Sequence, residues 1–76
     1  MQTVEEYSSV TQMIEQLIER ENENIAQYER TIQQIGDNVV KPLLTSIAQE
    51  KREHRRLLEQ ELEELNEQFE LEEAII

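Results

Sequence analysis

The feature that most constrains this chain is how little interrupts it. Gly36 is its one glycine and Pro42 its one proline. The only local signal able to turn the backbone is Gly36-Asp37-Asn38, in which a helix-ending glycine is followed by two residues that cap helices well. Thr3 and Glu6 have the spacing of a capping box. Pro42 falls in the first turn of whatever follows the break, where a missing N–H costs little. The sequence therefore predicts an all-α chain with a single helical-hairpin domain over residues 1–76: helix 1 at about 3–35, a turn at 36–38 and helix 2 at about 39–72.

Both segments are amphipathic. In the first, Val4, Tyr7, Thr11, Ile14, Ile18, Glu21, Ile25, Tyr28, Ile32 and Ile35 recur at steps of three and four, which draws one seam along a helix. In the second, Val40, Leu43, Leu44, Ile47, Lys51, His54, Leu57, Leu58, Leu62, Leu65 and Phe69 make a broader stripe. Each helix is roughly 45 Å long at 1.5 Å per residue. A 76-residue chain drawn out in this way buries too little apolar surface to stand comfortably alone. The stripes are wide enough for neighbours on two sides, so the expected fold is an antiparallel two-helix hairpin that dimerises into a four-helix bundle.

Charge narrows the class of partner. Eighteen acidic residues against seven basic ones give a net charge of −11, which repels phosphate backbones and argues against nucleic acid and anionic membranes. Glu59, Glu61, Glu63, Glu64, Glu67, Glu70, Glu72 and Glu73 crowd a stretch without Lys or Arg, readable as a solvated face or as a funnel for cations. Charge interrupts every apolar run, so no membrane span is expected, and the expected location is cytoplasmic. The chain has no cysteine, so any metal must be held by Glu, Asp or His. With one glycine there is no phosphate-cradling loop, and no catalytic triad is present. Arg52, Arg55 and Arg56 are expected mostly on the solvent side, paired with Glu59 and Glu63.

The polar residues inside the stripes carry the functional question, because a charge in a seam is costly unless paired or bound to metal. Glu21 is one; Lys51 and His54 are the others, with Glu50 four residues before His54 and able to reach the same point. In a hairpin turning near residue 37, Glu21 lies 16 residues before the turn and His54 lies 17 after it. The two are expected at one level, a carboxylate facing an imidazole. A metal site and a buried Glu–Lys–His network that fixes register both satisfy that arrangement. Tyr28 continues the seam as an amphipathic aromatic.

These residues resemble a family. Glu21 followed by Tyr28 in Glu-Asn-Glu-Asn-Ile-Ala-Gln-Tyr, and Ala-Gln-Glu-Lys-Arg-Glu-His ending at His54, are similar to the two halves of the ferritin-like motif. The likeness covers roughly residues 14 to 65 and is nearest to the short two-helix encapsulated ferritins and rubrerythrin-like proteins. It implies a four-helix ferritin-like bundle and a di-iron site shared between subunits, where Fe(II) is oxidised and passed on for storage. Its ligands would be Glu21, position 51 and His54, with Tyr28 beside them. The sequence departs from the motif at position 51, where Lys offers donors and no acceptor. Glu50 is then the replacement ligand, or Lys51 stands in for the metal's charge. The resemblance also implies cargo of a protein shell, docked through the apolar tail Ala74-Ile75-Ile76.

Two functions stay open at this point. One is a ferritin-like iron-binding protein, a ferroxidase or iron store, with Glu21, Glu50 and His54 as ligands and Tyr28 and Lys51 around them. The other is a metal-free helical-bundle assembly or adaptor protein in which Glu21, Lys51 and His54 form a buried polar network. Both require a homo-oligomer.

Overall fold

A computed structural model describes residues 3–75, with side chains through Leu71. The expected docking tail, Ala74-Ile75-Ile76, lies outside the described side chains. The chain is two helices, α1 (Val4–Ile35) and α2 (Lys41–Ile75), packed along each other as a hairpin, and no strand occurs among the described residues.

The start of α1 is fixed by the expected capping box. The Glu6 N–H donates to Thr3 Oγ1 at 3.1 Å, and the Thr3 N–H donates to Glu6 Oε2 at 3.3 Å. Two of the N–H groups that a helix start leaves unpaired are satisfied in this way. At the far end of α1, the Gly36 N–H donates to the Ile32 carbonyl at 3.2 Å and the backbone turns at φ 58°, ψ −135°. Only glycine adopts that pair of angles without strain. A Cβ built on Gly36 would meet nothing within 4 Å, so its requirement is conformational and not one of space.

Helix α2 begins two residues later than the sequence suggests, and Asn38 is the reason. Its side-chain Oδ1 accepts from the Val40 N–H at 3.0 Å, and its carbonyl accepts from the Lys41 N–H at 3.0 Å. These bonds hold Val39 and Val40 in a turn. The first helical bond is then Leu44 N–H to the Val40 carbonyl at 3.1 Å. Pro42 becomes the second helical residue, where an N–H would have no acceptor within the helix.

The hairpin is a rod of 59 × 15 × 12 Å with a radius of gyration of 17.3 Å. A compact domain of this length has a radius of about 11 Å. Its accessible surface is 5865 Å², against about 4,900 Å² for a compact monomer of this mass. Among the described residues only Ile25, Ala48 and Thr11 are buried, and two of the three are small. One chain therefore builds a seam and not a core.

That seam follows a strict alternation of four and three. In α1 it runs Tyr7, Thr11, Ile14, Ile18, Glu21, Ile25, Tyr28, Ile32, Ile35, as expected, while Val4 is exposed. In α2 it runs Leu44, Ala48, Lys51, Arg55, Leu58, Leu62, Leu65, Phe69. This corrects the broader stripe read from the sequence. Helix α2 carries two adjacent apolar stripes, and only one faces α1. The other, Val40, Leu43, Ile47, Glu50, His54 and Leu57, lies on one flank, where Leu43 is 59% exposed and Leu57 50% exposed.

At the end away from the turn, Tyr7 stacks on Phe69 with centroids 4.0 Å apart and 12° between the planes, and its hydroxyl donates to Asn66 Oδ1. The Thr11 hydroxyl donates to the Tyr7 carbonyl at 2.9 Å, within its own helix.

Candidate functional site

Midway along the rod, the seam becomes polar. Glu21 of α1 and Lys51 of α2 face each other, with Lys51 Nζ 3.9 Å from Glu21 Oε2. The surrounding helices leave the Glu21 side chain 19% exposed and Lys51 23% exposed. Ile25 and Ala48, each one turn toward the loop, are the most buried apolar residues of the described chain, at 4% and 1%. Ala48 is a small side chain in the seam at that point. The ammonium also lies 5.9 Å from the centroid of the Tyr28 ring, at the outer limit of a cation–π contact.

The ion pair is incomplete as a hydrogen-bonded unit. Glu21 Oε2 is buried and accepts no hydrogen bond, because 3.9 Å brings the two charges together without a bond between them. One acceptor therefore remains at the centre of the hairpin. Beside it, Asn24, Gln27, Tyr28, Thr31, Leu44 and Lys51 line a shallow groove that opens to one side.

The sequence places Glu21, Glu50 and His54 together, and within the hairpin the structure does not. Glu21 meets Lys51, whereas Glu50 and His54 are exposed. The level is legible, because Glu21 and His54 are almost equidistant from the turn. The direction is not. Three residues advance a helix by 300°, so His54 points about 60° away from Lys51, onto the open flank. Arg55, four residues from Lys51, rotates the opposite way and occupies the seam position expected for His54.

The arginines also depart from expectation. Arg52 Nη2 donates to Glu29 Oε1 at 2.8 Å, and Arg55 Nη1 donates to Asn22 Oδ1 at 2.8 Å, both across the hairpin. Of the three, Arg56 makes only local bonds, to Glu53 and Gln60. The Arg56 guanidinium holds the Glu53 carboxyl below its ordinary value, chiefly by hydrogen bonding, and Glu53 in turn raises Arg56. The cross-hairpin roles of Arg52 and Arg55 leave no distinctive trace in the sequence, because a charged residue near a seam reads the same whether its partner is local or distant.

The iron site implied by the ferritin-like resemblance does not fit inside one hairpin. The ammonium of Lys51 occupies the position of the second carboxylate, and it can donate only. Among the described residues, no group of three or more His, Asp or Glu side chains comes close enough to hold a metal ion. The described helices also contain none long and apolar enough to cross a membrane.

Fold and site together define an all-helical hairpin with one polar level in its seam and one uncovered flank. The family described as a domain of unknown function, DUF2383, matches residues 9–74, and the chain belongs to that family. No curated protein and no solved structure matches the chain.

Proposed function

We propose that this hairpin is a metal-free assembly module: two copies close a four-helix bundle of ferritin-like arrangement, and Lys51 supplies at its centre the positive charge that iron supplies in that superfamily. The observation that carries this reading is the pair itself, an ammonium 3.9 Å from a carboxylate at the level where a carboxylate ligand set would be needed. A Lys there neutralises Glu21 without a metal and marks the register at which two hairpins meet. Association is supported by the surface left bare, roughly 1,000 Å² more than a compact monomer shows, which exceeds the share of about 800 Å² that each partner contributes to a standard interface.

A second reading is favoured by the unpaired Glu21 oxygen and by the exposed Glu50 and His54 nearby. Two copies would bring two of each residue to one level. The assembly would then be an iron-binding protein that oxidises or stores Fe(II) at a shared di-iron site.

Native mass spectrometry before and after anaerobic Fe(II) separates the two. The metal-free reading expects a wild-type dimer that takes up no iron. It also expects iron uptake in Lys51→Glu, which restores a Glu-x-x-His helix. Two irons per wild-type dimer, lost in His54→Ala, would replace it with the iron reading.

A further inference from the structure

The open flank of α2 is complementary to its own reverse. Its central residues are Ile47, Glu50, His54 and Leu57, and they are arranged symmetrically about position 52: apolar, acid, imidazole, apolar. Run antiparallel against itself with the crossing at 52, this stripe sets Ile47 opposite Leu57 twice and Glu50 opposite His54 twice. Run parallel, it sets Glu50 on Glu50. Glu50 and His54 make no hydrogen bond across the hairpin among the described residues, and both are exposed, so both are available to a partner.

Charge along the rod selects the same orientation. The end away from the turn carries Glu59, Glu61, Glu63, Glu64, Glu67 and Glu70 with no base beyond Arg56, whereas the turn end of α2 carries Lys41. A parallel dimer would lay the two acidic ends together. An antiparallel one lays each acidic end along the partner's turn end, where the flank residues Glu61 and Glu64 fall opposite the partner's Leu43 and the partner's Val40 and not opposite other acids. Repulsion between like charges at close range costs a pairing more than most apolar contacts return.

We infer that the partner on the open flank is a second copy of this chain, antiparallel, with a two-fold axis crossing α2 at residue 52 and each Glu50 paired with the partner's His54. This rests on the self-association proposed above and adds its orientation and its central contact. An antiparallel two-fold interface is isologous and closes on itself, so the assembly stops at two hairpins along this flank. The axis also brings the two Glu21–Lys51 levels together, and the other copy covers the groove beside Lys51.

Two variants test the pairing in trans. His54→Glu sets glutamates against each other twice per dimer, and Glu50→Lys removes the acid from both contacts. Both positions are exposed, so far-UV circular dichroism should show each hairpin intact. Alone, His54→Glu should dimerise on the order of tenfold more weakly than wild type, with Glu50→Lys weakened less. Mixed in equal amounts they should form the mixed dimer in preference to either homodimer, read by native mass spectrometry. In that mixed dimer the acid introduced at position 54 of one chain meets the base introduced at position 50 of the other, and the remaining Glu50 meets the remaining His54. If wild type dimerises and the mixture associates no better than the variants alone, the orientation is wrong and self-association stands. A wild type that stays monomeric at every concentration would overturn both.

Discussion

The two flanks of this hairpin differ in a way that a single sequence-wide average conceals. On one flank, Arg52 and Arg55 of α2 reach Glu29 and Asn22 of α1, and the polar groups find their partners within the same chain. On the other, Leu43, Leu57, Met13 and Leu17 stand about half exposed, and Glu50 and His54 are exposed with them. The first flank is finished and faces water. The second has the composition of an interface, apolar with a few oriented polar groups, and lacks only the layer that would cover it. The association proposed above would use the second flank and leave the first as it stands in the single chain.

The comparison breaks most readily at the leucines. Leu43→Asp together with Leu57→Asp should cost about 3 kcal/mol or more of association, enough to leave monomers at micromolar concentration in sedimentation velocity. An unchanged dimer would mean that the open flank is not the interface. A smaller effect is expected at the polar level. Lys51→Met leaves the Glu21 carboxylate without its counter-charge and should lower stability by about 1–3 kcal/mol in urea denaturation, discounted because the pair keeps some contact with water. Adding Glu21→Gln should recover most of that loss, since an amide needs no counter-charge. Failure to recover would show that Lys51 acts through its packing on Tyr28.

The smallest effect belongs to the finished side. The Glu53 carboxyl, held low by Arg56, favours the folded state at pH values above its unfolded value. That contribution is lost as pH falls through the lower, folded value. An NMR titration should place Glu53 below the ordinary glutamate range and return it to that range in Arg56→Gln, with almost no change in the midpoint of unfolding at neutral pH, as befits an exposed pair.

Much of the fold was legible because it depends on local chemistry. Gly36 ends α1, Thr3 and Glu6 cap it, and counting from the turn sets Glu21 level with His54. What the sequence could not tell was which way each side chain points around α2. Two apolar stripes lie side by side there, and the doubled pairs Leu43-Leu44 and Leu57-Leu58 contribute one residue to each. Periodicity measures the width of an apolar face; it does not say which half meets the neighbouring helix. Lys51 and His54 consequently read as equivalent, although one lies in the seam and the other on the flank. Ala48 was overlooked for a related reason: a small residue gives little hydrophobic signal, yet it is the most buried of the described residues.

The contact between Tyr7 and Asn66 joins positions 59 residues apart, while the turn is closed by bonds spanning two to four residues. Chain closure costs more entropy the longer the loop it shuts. The hairpin should therefore zip from Gly36 outward, with the Tyr7–Phe69 stack acting as a clasp that fastens last and lets go first. Amide hydrogen exchange would follow that order, slowest around Ile25 and Ala48 and fastest beyond the clasp.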